Sequence, residues 1–376
     1  VDFTYSQDQE LLRKTVRDFA RQEIAPHSQE WDEQQHFPLE LIPRLGELGL
    51  MGVAFPEQYG GAGLGYMEYV IAIEELSRVD GAIGLSVAAH NSLCSNHIYL
   101  FGTEEQKQTY LKPLAEGRKL GAWALTEPVS GSDAAGLQSK ARRNRSGEWI
   151  VDGSKNFTTH GTYGDIFVVM ALTDPEQGRK GITAFIIEKG TQGLSSGKKE
   201  NKLGCRASDT ASLILEDCHV AEKNILGKVN EGFLNALDVL DGGRISIAAM
   251  AVGIGQGALD CAVRYSMERE QFGKPIADFQ GVQFTLAEME ARMQAARWLT
   301  YRAAWLKDQG KKIPRESSVA KYYASEAAVW VAEQAVQIHG GYGYIKDYPA
   351  EKYWRDSKLC TIGEGTSEIQ KIVIAR

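Results

Sequence analysis

The spacing of apolar residues changes twice along this 376-residue chain, from helical to strand-like and back to helical. Such a chain is expected to form a helical part, then a β part, then a second helical part, because a pattern of one period cannot bury its apolar face in the other structure. Length agrees, since about 150 residues per domain leaves room for two or three domains. Residues 1–120 read as helices. Ser6 and Gln9 are spaced as a capping box, with Leu12, Val16 and Phe19 on one face behind them and Pro26 at or just beyond the helix end. Leu41, Leu45 and Leu48 repeat at helical spacing before a Gly49 stop. After the glycine-rich PEQYGGAGLGY loop, Val70, Ile73 and Leu76 repeat in the same way, and Thr103 with Gln106 marks a second capping box.

Residues 121–228 change period. Asp152-Gly153 lies between two strand-like runs and predicts a hairpin turn. DIFVVMAL, GITAFIIEKG and ASLILEDCHV follow, with turn residues and no helix-length segment between them. Residues 229–376 return to helical spacing in three long runs, and a closing helix is expected near EGTSEIQKIVIA. The expected fold is therefore α+β and multidomain. It has an N-terminal α-helical domain, a central antiparallel β-barrel or sandwich and a C-terminal four-helix bundle whose apolar faces could support oligomerisation.

Lys plus Arg number 42 and Asp plus Glu 49, a net charge of 42 − 49 = −7, which disfavours nucleic acid as a partner. Charged residues at 24% and hydrophobic ones at 43% exclude extensive disorder. The five cysteines form no CxxC pair, and the seven histidines form no HExxH, so free thiols in a reducing compartment and no metal are expected. No run of eighteen apolar residues occurs and VDFTYSQDQELL is not a signal peptide, so no membrane insertion is expected. A cytoplasmic location follows. The start at Val1 leaves room for a removed transit peptide and the mitochondrial matrix.

Several segments could carry chemistry, each with a plainer reading. GIGQG (Gly253, Gly255, Gly257) lies inside an Ala-rich helical run, so close helix packing explains it better than dinucleotide binding. ALTEPVSGSDAAG leaves a strand expected at Gly121–Leu125; Thr126, Ser130, Ser132 and its amides could bind a heterocycle or phosphate, or make an ordinary β-turn. Arg264, Arg269 and Lys274 surround a helix end, where a guanidinium can grip a pyrophosphate or meet the helix dipole. Gly340, Gly341 and Gly343 exceed what a helix cap needs and would permit close approach of a ligand. Glu364 stands between Gly363 and Gly365, before a helix start containing Glu368. Such a carboxylate can enter a cavity and act as a base, or complement the helix N-terminus with Thr366 or Ser367 as cap. The basic run KARRNR reads as a hairpin tip beside Gly147, and Tyr322, Tyr323, Trp330 and Trp354 as helix-interface core.

ALTEPVSGSDAAG, RxxFGxPIxxxQ, QIHGGYGYIKDYPAEKYWRD and EGTSEIQ occur in that order. Together they resemble the acyl-CoA dehydrogenase family over essentially the whole chain. The pattern is nearest to short-chain, butyryl-CoA-type members through KLGCRASDTASLILEDCHV and EGTSEIQKIVIAR. The resemblance implies FAD held between the β block and the C-terminal helices. Leu125, Thr126, Gly131, Ser132 and the loop to Ala134 would contact the flavin, with Phe157, Thr158 and Thr159 behind its ring. Arg269, Phe272 and Gln280 would hold the nucleotide end, as would Gln337, Ile338, Gly340 and Gly341 from a neighbouring subunit of a homotetramer of paired dimers. Thr366, Ser367 and Glu368 would complete the cofactor contact, and Ser132, Asp241, Arg244 and Gly365 would contact the acyl-CoA substrate. Glu364 matches the family's catalytic base, the residue that removes the α-proton of the thioester while flavin N5 takes the β-hydride. Electrons would pass to an electron-transferring flavoprotein. Some relatives carry the base where Gly243 stands here, and glycine cannot serve. Phe157 stands where Trp is frequent, and Gly363 where Tyr is frequent; the latter implies a looser site open to a branched or cyclic acyl group. The alternatives are an acyl-CoA oxidase, disfavoured by length, and a DNA-associated flavin protein, disfavoured by net charge and by an ending in VIAR. A non-catalytic scaffold is disfavoured by the intact Glu364 and flavin motifs.

Overall fold

A computed structural model describes residues 4–376. Residues 1–3, the start of the expected helical domain and of the VDFTYSQDQELL segment, lie outside the described residues. The principal helices of the first layer are α1 (Gln7–Phe19), α2 (Leu41–Glu47), α3 (Tyr66–Val79) and α4 (Gly81–Ala89). Ser6 and Gln9 form the expected capping box on α1, and Thr103 with Gln106 forms the second. Pro26 follows in a turn after a π-helical extension, and Gly49 sits just past α2 at φ +73°. Leu41 and Leu45 are buried as expected, but Leu48 is half out of the core, because α2 has already ended at Glu47.

Eight strands follow: β1 (Gly121–Ala124), β2 (Lys140–Arg143), β3 (Trp149–Thr159), β4 (Ile166–Leu172), β5 (Ile182–Glu188), β6 (Leu194–Lys199), β7 (Thr210–Val220) and β8 (Ile225–Leu226). They pair in the order β6-β7-β3-β2-β4-β5-β8, antiparallel except that β4 takes β1 and the end of β2 in parallel. The sheet folds on itself, so Val151, Leu213 and Leu215 pack inside against Val169, Phe185 and Ile187. The other face of β4 and β5 (Ile166, Val168, Met170, Ala184, Ile186) packs on helical residues Cys94, Ile98, Leu111 and Leu114. Burial on both faces is why these strands read as unbroken apolar runs.

Asp152-Gly153 is not a hairpin turn. β3 runs through it, and β7 pairs with residues on both sides of it across a register shift between Val151 and Gly153. A β-bulge meets the same demand for a glycine: Gly153 has φ +147°, and a Cβ there would lie 2.3 Å from Ser139 Oγ. The turn lies earlier, at Asn144–Gly147, where the Asn144 side chain accepts the N–H groups of Ser146 and Glu148. Accordingly Lys140–Arg143 of the basic run are strand, and only its end is the hairpin tip.

The C-terminal layer has three long helices, α5 (Gly232–Glu268), α6 (Gln280–Asp308) and α7 (Pro314–His339), then two short ones, α8 (Ala350–Cys360) and α9 (Ser367–Ala375). The closing helix is thus nine residues, not a fourth long one. α5 is long and apolar enough to cross a membrane, but 94% of that apolar window is buried inside the fold. GIGQG is helix packing: a Cβ on Gly253 would meet the Glu74 carbonyl at 2.3 Å, and one on Gly257 the Arg78 carbonyl at 2.3 Å. Tyr323 and Trp354 are partly exposed, at 37% and 47%, rather than interface core, whereas Trp330 packs against the core. Four of the five cysteines are buried, Cys261 is half-buried, and all five are free.

Because its backbone neighbour cannot yield, Gly253→Val is expected to destabilise the protein by about 1–3 kcal/mol. Denaturant unfolding against the parent chain measures this.

Candidate active site

Between α8 and α9 the chain turns through residues 361–366, and Glu364 lies there with φ +54°. A non-glycine residue in that region costs energy and marks a position held by its surroundings. The holding groups are visible. Lys321, fully buried on α7, donates to the Gly365 carbonyl at 2.6 Å. Gln370 donates to the carbonyls of Gly365 (2.9 Å) and Glu364 (3.3 Å). Thr366 caps α9 by accepting from the Ile369 N–H, and buried Ser367 donates to Glu326 at 2.6 Å. The capping reading of this loop is therefore correct for Thr366, while Glu364 turns inward.

Its carboxylate lies against α5 at Gly243. A Cβ on Gly243 would fall 1.8 Å from Glu364 Oε2, with Leu93 closing the other side at 3.2 Å. Oε2 is buried and has no hydrogen-bond partner among the described residues. Burial pushes the Glu364 carboxyl up to about 7, with the Lys321 and Arg244 cations pulling it partly back. Burial also brings the Lys321 ammonium down to about 8. Arg244, buried on α5 one residue on from Gly243, pairs with Asp241 one turn earlier and leaves its Nε without a partner among the described residues. The site is a desolvated acid poised near neutrality beside two buried cations. A Cβ on Gly363 would meet Leu359 at 3.6–3.9 Å, ordinary contact distance.

The other expected residues fall into two further groups. On the sheet, Phe157 stands 64% exposed at φ +55°, beside Thr158, whose buried Oγ1 has no partner among the described residues. Thr159 is half-buried, as is Thr126, whose carbonyl accepts the Asn156 N–H at 2.8 Å. Leu125 is nearly buried, and Gly131 and Ser132 are exposed at the tip of the loop. Sequence reasoning missed what fixes that loop. Lys155 is fully buried and meets Glu127 at 2.6 Å, while Glu127 also accepts the N–H groups of Gln138 and Ser139. Burial works against the Glu127 charge, but Lys155 and these donors outweigh it and hold its carboxyl below the ordinary range.

At the far end of α5, residues 270–275 form a tight hairpin with Phe272 at its tip, 94% exposed at φ +53°. Arg269, Ile338, Gly340 and Gly341 line a cleft of about 450 Å³ there. Gln280 begins α6 and Gln337 is exposed near the end of α7. Glu368 is exposed in the first turn of α9. Lys321 was also missed, although it falls in the apolar stripe Ala324, Ala328, Val331 of α7, where a lone lysine needs a reason.

Sequence profiles of the acyl-CoA dehydrogenase N-terminal, middle and C-terminal domains match residues 6–118, 122–218 and 230–376. The chain belongs to the acyl-CoA dehydrogenase family. Membership makes it an FAD-dependent oxidoreductase that dehydrogenates acyl-CoA thioesters. It is 48% identical to a short-chain specific acyl-CoA dehydrogenase of Clostridium acetobutylicum, over 100% of this chain and 99% of that one. The butyryl-CoA dehydrogenase of Megasphaera elsdenii superposes with a TM-score of 0.98 at 44% identity, covering 100% of this chain and 99% of that one. A chain from a structure described as the electron transferring flavoprotein of Acidaminococcus fermentans superposes at 0.99 with 48% identity, covering 100% and 99%. The sheet group fits the flavin on its own chemistry, with an exposed aromatic ring, an unpaired buried hydroxyl and an open polar loop side by side.

Folded Glu364 holds its proton up to about pH 7, whereas the unfolded carboxyl releases it near 4.5. The folded state therefore binds more protons across that window, and stability falls as pH rises through it. Glu364→Gln is expected to be more stable than the parent by up to about 3 kcal/mol above pH 7, the gap closing below 4.5. Unfolding at pH 5 and pH 8 checks the sign.

Proposed function

We propose that Glu364 is the general base that removes the α-proton of a short-chain acyl-CoA, giving the 2-enoyl-CoA. The observation that carries this is the buried, unpartnered Oε2 lying over Gly243. An α-hydrogen beside a thioester is a weak acid, so its acceptor must be dry, fixed and basic near neutral pH. Burial supplies the basicity, and the hydrogen bonds to residues 364 and 365 supply the fixed position. Negative charge grows on the thioester oxygen as the proton leaves. The N–H of Glu364 has no backbone acceptor among the described residues, and it is the donor offered to that oxygen. General-base catalysis of this kind is worth about 10²–10⁴-fold.

A bound FAD would supply the acceptor for the hydride that leaves the β-carbon. Leu125, Thr126, Gly131, Ser132, Phe157, Thr158 and Thr159 would hold its ring end, with the Lys155–Glu127 pair keeping loop and strand together. Arg269, Phe272, Gln280, Gln337, Ile338, Gly340 and Gly341 would hold its nucleotide end, with Thr366, Ser367 and Glu368 completing the contact. Ser132, Asp241, Arg244 and Gly365 would bind the coenzyme A thioester. The two cofactor groups occupy separate surfaces of this chain, and Phe272 and Tyr344 stand 94% and 88% exposed beside the second. Both features support a homotetramer of paired dimers in which each site is completed by a second copy. An electron-transferring flavoprotein as acceptor is supported by the Acidaminococcus fermentans likeness. Residues 1–120, 121–228 and 229–376 are the three domains of this reading, and free buried thiols support a cytoplasmic or matrix location.

Glu364→Gln is expected to retain FAD and bind butyryl-CoA yet fail to bleach the flavin under anaerobic titration. Normal bleaching would remove Glu364 from the role. In the parent enzyme kcat/KM should rise with pH through a midpoint near 7, because the base must first lose its proton. Gly243→Ala should displace the carboxylate and lower kcat/KM by about 10²-fold or more.

A further inference from the structure

Among the described residues three lysines are buried, and two of them are matched by carboxylates. Lys155 meets Glu127 at 2.6 Å, and Lys352 lies 3.1 Å from Asp80 and 2.8 Å from Asp356. Lys321 is the exception. It is fully buried on α7 and makes no ion pair among the described residues, where its one hydrogen-bond acceptor is the Gly365 carbonyl at 2.6 Å. A buried ammonium without a carboxylate is costly to hold, so its place in the fold calls for a negative charge that it meets at some stage.

That charge belongs to the residue next to its acceptor. Ionised Glu364 favours the protonated form of Lys321, and the Lys321 cation favours the ionised form of Glu364. The other groups facing the pair do not take this part. Arg244 on α5 has its own carboxylate in Asp241, and Glu326 on α7 accepts the Ser367 hydroxyl at 2.6 Å. Burial keeps Cys360 on α8 a thiol and Tyr69 on α3 a phenol at neutral pH. Gln370 donates to the same Gly365 carbonyl at 2.9 Å, but it is neutral. The turn is thus held by two donors, of which only one brings charge.

We propose that Lys321 is a positioning residue for the reaction, its ammonium both pinning the turn that aims Glu364 and serving as counter-charge to the ionised carboxylate. This rests on Glu364 being the base. The test compares the FAD-loaded parent with Lys321→Met, Lys321→Arg and Gln370→Met, reading kcat and KM for butanoyl-CoA against pH. Lys321→Met should raise the midpoint of kcat/KM by about one pH unit or more, because an opposite charge beside the carboxyl is gone. It should also lower kcat by about tenfold while leaving KM nearly unchanged, since the base is misplaced but the thioester contacts remain. Lys321→Arg should keep the parent midpoint. Gln370→Met loosens the turn without removing charge, and should lower kcat at an unmoved midpoint. The infrared band of the protonated Glu364 carboxyl, identified by its loss in Glu364→Gln, reads the same midpoint without turnover. Lys321→Gln takes the place of Lys321→Met should the latter not load FAD. An unmoved or lowered midpoint in the neutral variant would overturn the proposal. So would failure of both neutral variants to fold and load, which would make Lys321 purely structural. Bleaching of the flavin by Glu364→Gln would instead remove the base itself, a separate failure from either of these.

Discussion

A side chain of any size on the glycine face of α5 would push apart most of what has been described. Gly253 and Gly257 receive the backbone of α3, Gly243 receives the Glu364 carboxylate, and Gly242 receives a tyrosine hydroxyl. The helix is the spine of the molecule because it lacks side chains where other elements must come near. Glycine costs a helix roughly 1 kcal/mol per residue in propensity. That cost is offset by packing, since Ile245, Ile247, Met250 and Ile254 on the same helix are fully or nearly fully buried. One element thus joins the N-terminal helices to the C-terminal ones and sets the floor of the site.

Electrostatics then follow from burial. The Lys155–Glu127 pair and the Lys321–Glu364 neighbourhood place the same residue types to opposite effect. Glu127 meets an ammonium and two backbone donors, and its carboxyl stays low. Glu364 has cations nearby but no direct partner on Oε2, and its carboxyl rises. The first arrangement makes a rigid staple and the second a reactive group. The difference lies in hydrogen bonds, not in the charges present.

The fold was legible wherever a local rule had no competitor. The Ser6 and Thr103 capping boxes, the apolar runs of β4 and β5 and the helical run containing GIGQG read true. Asp152-Gly153 misled because a glycine with positive φ serves a bulge as well as a turn, and only pairing with β7 distinguishes them. Leu48 misled because periodicity continues past the end of the helix that creates it. In the site, Glu364 could be singled out by its flanking glycines, yet its partner surface could not. Gly243 is 121 residues away by number (364 − 243), and an empty position announces nothing in a sequence. Lys155 and Lys321 were hidden for a related reason: surface lysines are so common that a buried one shows only against the apolar stripe around it.

Burial governs the thiols as it governs the carboxyls. Burial holds Cys94, Cys261 and Cys360 at a pKa of about 12 and Cys218 at about 11, so almost none is thiolate at neutral pH. Alkylating reagents attack the thiolate, and at buried Cys94, Cys218 and Cys360 they must wait for the protein to breathe. Cys94 sits at the seam between helices and sheet, Cys218 inside the sheet and Cys360 at the end of the helix that leads to Glu364. Each sulfur is therefore a built-in stopwatch for the loosening of its own layer.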